Sequence, residues 1–336
     1  MTTMIAPHLT STLVNRILAI KPLWNFAKKR ARAMMIKRAE TIGVPWRETV
    51  EHLRRRHGNV AVLGERDQVA SAWQQDLEAI QNADLVYPDY YTTSFHAYDE
   101  GNLGWLPAME VEVAAQAVHA RLWPDANARG DAMLRQSYHD VLVAELPAPP
   151  KQIVDLGCGV GMSTETLQAL YPDAHLTGVD LSPYFLAMAQ YREQRAHAIA
   201  SVSHASKQPI TWCHAPAEST GLPGAAYDLV SVCLVFHELP QAAAQAVVQE
   251  ARRLLRPGGH LAIMDMNPAS QVYAKMPPFV LTLLKSTEPY LDEYFALDMD
   301  QVLQRAGFKP PVIRCNSVRH RTIIGQVPLE SGVMEN

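Results

Sequence analysis

The run CLVFHELP at 233–240 puts an imidazole next to a carboxylate, His237 beside Glu238, at the end of an apolar stretch. A histidine near its ordinary pKa can take a proton from a phenol or enol at neutral pH, and an adjacent carboxylate can orient the ring or hold its charge. The other reading of His237 is packing, with the ring capping the helix that follows. A second dense stretch, FHAYDEGNLGW at 95–105, gathers His96, Tyr98, Asp99 and Glu100. Two readings of it stand. Asp-Glu-Gly-Asn is good turn chemistry, with Gly101 and Gly104 free to take positive φ and Trp105 anchoring the next helix. Alternatively, the loop folds over a ligand crevice and turns its polar groups toward a substrate. A third stretch, VDLGCGVG at 154–161, alternates Gly157, Gly159 and Gly161, where missing side chains let a backbone approach a ligand closely.

These stretches need elements to hold them. From residue 152 on, short apolar segments alternate with helical ones. QIVDLG, HLTGVD, ITWCHA, YDLVSVCLVF and GHLAIMD read as strands; STETLQALYP, PYFLAMAQYREQRA and QAAAQAVVQEARRLL read as helices. After a differently patterned segment from 267 to 297 come a helix, DMDQVLQRAGF, and two last strands, PVIRC and HRTIIGQV. The pattern predicts an α/β fold: a Rossmann-like, seven-stranded, mostly parallel sheet with helices on both faces. Ligands of such sheets bind beyond the carboxyl ends of the strands, which is where the glycines after the first strand and His237 after the fourth fall.

Ahead of the sheet, from about residue 8 to 146, apolar residues recur every three or four positions, as in WRETVEHLRRRHG, RDQVASAWQQDLEAIQ and GDAMLRQSYHDVLVAEL. This predicts an α-helical N-terminal extension or cap. Consecutive prolines in LPAPPKQ end it, because proline cannot continue a helix. The expected division is 1–148 as cap and substrate lid and 149–330 as the ligand-binding domain.

Composition bounds the rest. A chain of 336 residues that is 48% hydrophobic and 19% charged is globular. Its net charge of −4 conceals a basic start: residues 1–60 hold twelve Lys and Arg against three Glu, leaving eighteen against thirty-one acids elsewhere. Lys29, Arg32 and Arg38 fall on separated faces of a helical wheel, so three readings stand for this part: packing on its own domain, contact with an anionic membrane surface or partner, or nucleic acid. The first fifteen residues, rich in hydroxyls and free of acids, also suit an organelle transit peptide. Four cysteines without paired spacing suit a reducing compartment, and no apolar run nears the ~20 residues needed to cross a bilayer. With no secretory apolar stretch at the start, a cytoplasmic protein is expected.

Three features sharpen the glycine motif: Asp155 precedes the glycines within the strand, Asp180 closes the second strand, and RRLLRPGGHLAIMD follows the fourth. Together they resemble the class I S-adenosylmethionine-dependent methyltransferases, in the branch that includes quinone and other small-molecule methyltransferases, over residues 150 to about 327. The resemblance implies that Asp155, Gly157, Cys158, Gly159 and Gly161 hold the methionine part of the cofactor, and Asp180 and Leu181 the ribose and one adenine face. Members of the family often carry Asp-Ala-Glu after the third strand. Here Ala217 and Glu218 match, but Pro216 replaces the aspartate, so the side-chain acceptor for the adenine amine is absent. The resemblance further implies His237 and Glu238 as catalytic candidates, since plant-type O-methyltransferases have a histidine near this point.

Absences matter too. The (Asp/Asn)-Pro-Pro-(Tyr/Phe) motif of nucleic-acid amino-methyltransferases is missing from 233–240, and MPPF at 276–279 lacks its leading residue. No nucleic-acid partner is expected. Asp265 and Asn267 offer part of a divalent-ion site, but Phe236 and His237 replace the acid that such a site wants after strand four, so no metal is expected. The 267–297 segment carries Tyr273, Met276, Phe279, Leu283, Leu284, Tyr290, Tyr294 and Phe295. It reads as a lid over an apolar substrate, with Tyr290 and Tyr294 beside His96, Tyr98, Asp99 and Glu100 in the pocket, or as ordinary helix packing. The expected activity is methyl transfer to an oxygen or carbon nucleophile of an apolar small molecule. An S-adenosylmethionine-binding enzyme of a non-methylating kind, such as a cyclase, and a cofactor-sensing scaffold are the other readings; the oligomeric state is open.

Overall fold

The computed structural model describes residues 21–56, 71–96, 98–200 and 208–329. The transit-peptide reading and the start of the RDQVAS helix lie outside the described residues. Helix α1 (Lys21–Thr41), α2 (Trp46–Arg55), α3 (Ser71–Ile80), α4 (Trp105–His119) and α5 (Gly130–Glu145) precede β1 (Gln152–Leu156). Then follow α6 (Met162–Leu170), β2 (His175–Asp180), α7 (Pro183–Ala200), β3 (Thr211–His214), β4 (Tyr227–Cys233), α8 (Gln241–Leu254) and β5 (Leu255–Met266). Short helices α9 (Gln271–Ala274), α10 (Pro278–Thr287) and α11 (Leu291–Ala296) fill the lid segment, and α12 (Met299–Arg305), β6 (Val312–Cys315) and β7 (His320–Gln326) end the chain.

The seven strands form one sheet in the order β3-β2-β1-β4-β5-β7-β6; β1 through β5 run parallel, and β7 is antiparallel to both β5 and β6. Strand side chains alternate between two cores, as the two-residue pleat requires. Val154, Leu156, Val230, Val232, Leu261 and Ile263 pack with Val247, Ala251 and Leu254 of α8. Ile153, Leu229, Ala262 and Met264 pack on the other side with Leu134, Tyr138 and Leu142 of α5 and Leu167 of α6. Every residue of β4 is buried, the signature of a strand covered on both faces.

Strand four ends three residues sooner than its apolar run suggests. Leu234 takes a left-handed φ of 61°, and its N–H donates to Met264 O, so the chain turns out of the sheet there and forms a 3₁₀ turn over Phe236–Glu238. That turn swings His237 and Glu238 over the carboxyl edge. Strand five begins earlier than expected, at Leu255, because the Pro-Gly-Gly stretch is absorbed as an irregularity in its pairing with β4.

The cap packs through a third apolar cluster. Ile36 and Ala39 of α1, Trp46 and Val50 of α2, Trp73 of α3 and Met109 and Val113 of α4 meet Phe185, Met188 and Tyr191 of α7. Glu110, 1% exposed, is its polar centre: it accepts from Arg32, from Trp46 Nε1 at 3.0 Å and from the Tyr98 hydroxyl at 2.6 Å. From Ile36 onward, then, the basic N-terminal helix packs on its own chain.

Residues 82–104 leave the cap as a strap across the carboxyl edge of the sheet. Asn82 N donates to His214 Nδ1 (2.8 Å), the Tyr90 hydroxyl to Glu218 Oε1 (2.7 Å) and His96 N to Thr287 O (3.2 Å), and Asn102 O accepts from Ser182 Oγ (2.7 Å). No helix among the described residues is long and apolar enough to cross a membrane.

Candidate functional site

The strap, the lid and the sheet edge enclose a cavity of about 600 Å3 at the point where strand order reverses between β1 and β4. Its floor is the loop after β1. Gly159 has a φ of +56°, and a Cβ there would project into space bounded only by the Phe185 ring at 3.8 Å, so the loop is a shallow open cradle. Asp180 ties it down: Oδ2 accepts from Gly159 N (2.8 Å) and Oδ1 from Ser182 N (2.7 Å). Burial still pushes the Asp180 carboxyl up to about 6, against the pull of those backbone donors.

Gly157, Cys158, Gly159, Asp180, Leu181, Ala217 and Glu218 all line the cavity. Two other residues expected with them do not. Asp155, 1% exposed, lies beneath the loop, where Oδ2 accepts from the Thr164 hydroxyl (2.7 Å). Gly161 begins α6 from behind, and a Cβ there would stand 2.8 Å from the Trp212 ring; that glycine is required by packing rather than by a ligand. The sequence reading missed Arg135. This largely buried guanidinium reaches the cavity from α5, pairs with Asp131 (2.9 Å) and bonds Ser163 at the start of α6. Only its position in an amphipathic helix was visible in the sequence, and that gives no sign of a polar side chain turned inward.

Opposite the cradle lies a cluster of acids and imidazoles. His237 Nδ1 sits 2.7 Å from Asp265 Oδ1, and Asp265, at the end of β5, is 1% exposed. Burial works against the imidazolium, but the Asp265 charge outweighs it with help from Glu288 and Glu238, and the His237 pKa rises to about 10. His237 does not cap α8: the first N–H of that helix, Gln241 N, is taken by Glu293 Oε2 at 2.9 Å. Glu238 is pushed up to about 7 by burial, with His96 and His237 pulling the other way. His96 Nε2 lies 3.0 Å from Glu288 Oε1 and 3.7 Å from Glu238 Oε1. The partnership of Asp265 with His237 was missed, although adjacent parallel strands bring their carboxyl ends together. Glu288, in the lid, gave no signal at all.

His96, His237 and Glu288 each place one donor atom within 4.8 Å of the others, a spacing a divalent ion could use. Both imidazoles, however, already sit against carboxylates, which accounts for the cluster as an ion-pair network.

The FHAYDEGNLGW stretch divides between its two readings. Phe95 and Tyr98 bridge a tight turn, with His96 at φ +48°, and His96 and Tyr98 line the cavity. Asp99 and Glu100 do not: they lie at the exposed tip of the turn. Trp105 opens α4 and packs on Trp73 and Tyr184. The lid divides likewise. Tyr273, Met276, Val280, Leu284 and Glu288 face the cavity. Tyr290 instead stacks edge-on with Tyr90, and Tyr294, 1% exposed, is a core residue donating to Met266 O at 2.7 Å. The side chains of Phe279 and Leu283 lie outside the described residues.

Residues 154–263 match the model of a methyltransferase domain family. A ubiquinone biosynthesis O-methyltransferase of Nitrosomonas europaea is 30% identical over 208 residues, which are 59% of this chain and 81% of that protein. An uncharacterized methyltransferase of Synechocystis is 27% identical over 175 residues, 52% of this chain and 74% of that one. An O-methyltransferase of Penicillium expansum is 29% identical over 202 residues, 57% of this chain and 65% of that one.

Proposed function

The chain belongs to the S-adenosylmethionine-dependent methyltransferases, and from that premise we propose that it methylates an oxygen, or an acidic carbon, of a largely apolar small molecule held between strap and lid. The observation that carries this is the His237–Asp265 pair beside Glu238, across one cavity from the Gly157–Gly159 cradle and Asp180. The residues suit the cofactor. The cradle is open at Gly159, where a Cβ would project, and Glu218, on the cavity wall, has a buried Oε2 without a partner among the described residues. In this reading Asp180 holds the ribose hydroxyls, Leu181 and Ala217 flank the adenine, and Glu218 Oε2 supplies the polar contact that Pro216 cannot. The Arg135 guanidinium, beside Ser163, takes the methionine carboxylate. Bound S-adenosylmethionine supplies a methyl group on a positively charged sulfur, open to in-line displacement.

The protein's share is alignment, proton management and dryness. Glu238, whose carboxyl titrates near neutrality, takes the acceptor proton. His237, held charged and oriented by Asp265, donates from Nε2 to the oxygen as its negative charge develops. His96 lies between Glu238 and Glu288 and can pass the proton outward. The aromatic and aliphatic faces of Phe95, Tyr273, Met276 and Leu284 exclude water. The test is incubation of the full chain with methyl-labelled cofactor and a panel of phenols and enols: label in the acceptor supports the reading, and cofactor cleavage with unmoved label overturns it.

Turnover should therefore rise with pH through about 7, because a base must be deprotonated, and fall only as His237 loses its proton near 10. In Glu238→Gln the lower limb should vanish and the remaining rate drop by about a hundredfold. A profile with an unchanged limb near 7 would assign the proton elsewhere.

No metal enters this scheme. Dialysis against a strong chelator should leave turnover unchanged; loss restored by a divalent ion would make His96, His237 and Glu288 its ligands. The four cysteines are all free, which suits the cytoplasm as the place of action.

A further inference from the structure

The guanidinium groups of the cavity are not alike. Arg32 is neutralised by Glu110 and Arg135 by Asp131. Arg319, which precedes β7 and lines the same cavity, has no carboxylate partner among the described residues. Its one side-chain bond is from Nη2 to Val118 O, at 3.0 Å, in the last turn of α4. Burial holds its pKa below the usual arginine value. Arg38 feels the charge of Arg319, and it too has no carboxylate partner among the described residues. Arg38 stands off the cavity wall, so Arg319 is the guanidinium of the lining that lacks a carboxylate among the described residues.

The neighbours of Arg319 extend the site. His119 and His320, with ring centres 5.5 Å apart, both line the cavity and are both kept neutral by burial. His119 donates Nδ1–H to Asp131, which leaves its Nε2 an acceptor, whereas His320 accepts from the Ser317 hydroxyl at Nδ1 and keeps an Nε2–H donor with no partner among the described residues. The acids of the cavity, Asp180, Glu218, Glu238 and Glu288, belong to the cradle and to the His96–His237 cluster instead. Met266, paired with His320 across β5 and β7, adds apolar wall beside them.

Building on the methyltransferase reading, we propose that Arg319, with His320 beside it, binds an anionic group of the methyl acceptor, a carboxylate or phosphate at one end of a mainly apolar molecule. The acceptor is then amphipathic: its nucleophile faces His237 and Glu238, its charge Arg319, and its carbon skeleton the lid.

The probes are decanoate, its uncharged methyl ester and decyl phosphate, titrated into the full chain with and without S-adenosylhomocysteine. The wild-type protein should prefer decanoate over the ester by about tenfold or more, the worth of one charge-assisted hydrogen bond. Arg319→Gln should erase that preference while ester and S-adenosylhomocysteine affinities stay within about twofold, and Arg319→Lys should keep part of it. Tighter binding of decyl phosphate than of decanoate assigns the site to phosphate, the reverse order to carboxylate. Equal wild-type affinities for decanoate and ester overturn the proposal. So does a uniform loss of all ligands in Arg319→Gln, which would make Arg319 only a bolt for the end of α4. Failure of the wild-type chain to bind S-adenosylhomocysteine would instead remove the premise, a result that the separate cofactor titration keeps distinguishable.

Discussion

Replacing His237 with alanine is expected to lower turnover by about a hundred- to ten-thousand-fold while S-adenosylhomocysteine affinity stays within about twofold. The ring is 2.7 Å from Asp265, nearly buried, and on the cavity wall, and it makes no hydrogen bond to a cradle residue among those described. Its removal therefore strips charge stabilisation from the acceptor without disturbing the cofactor. Asp265→Asn tests the same pair from behind. It keeps the shape and removes the charge that holds His237 protonated, so the alkaline limb of the pH profile should move down from about 10 toward the ordinary imidazole range. Because the two residues act as a unit, the double variant should be little worse than His237→Ala alone. Turnover within about threefold of wild type in His237→Ala would confine the pair to structure.

The second large effect belongs to Asp180. In Asp180→Ala, S-adenosylhomocysteine affinity should fall by about a hundredfold or more, read by direct titration. The carboxylate does two things at once. It offers lone pairs to the crevice, and it holds Gly159 N and Ser182 N at 2.8 and 2.7 Å, fixing the cradle against the start of α7. Asp180→Asn retains one acceptor oxygen and should lose less. The acid is raised to about 6, so its charged form is lost as pH falls through that value, and wild-type cofactor affinity should weaken below about pH 6 and be constant above it. An affinity loss of less than threefold in Asp180→Ala, or a flat profile, would take the ribose contact away from this residue.

What could be read from the sequence followed from period and spacing. Alternating strands and helices announced the parallel sheet, and the apolar run of β4 its burial on both faces, because those patterns are imposed by the core. The glycine loop, Asp180 and His237 were legible because each lies at a strand end or one short turn beyond it. The exact wall was less so. Asp155 and Gly161 share the motif's spacing but face the packing behind the loop, a difference of side-chain direction that one-dimensional spacing does not carry. Tyr290 and Tyr294 looked like pocket aromatics, yet Tyr294 fills the core. Asp265, Glu288, Arg135 and Arg319 come from four separate parts of the chain, and only the fold brings the last three to one cavity and sets Asp265 behind its wall.

The strap at 82–104 joins the acceptor wall to the cofactor cradle. It supplies Tyr90, His96 and Tyr98 to the cavity, Tyr91 bonds Asp180, and His96 pulls on the Glu238 carboxyl, so its residues reach the cofactor site as well as the acceptor. Rewriting that ribbon would therefore alter the molecule accepted and, through Tyr91 and His96, retune the groups that hold the methyl donor and move the proton.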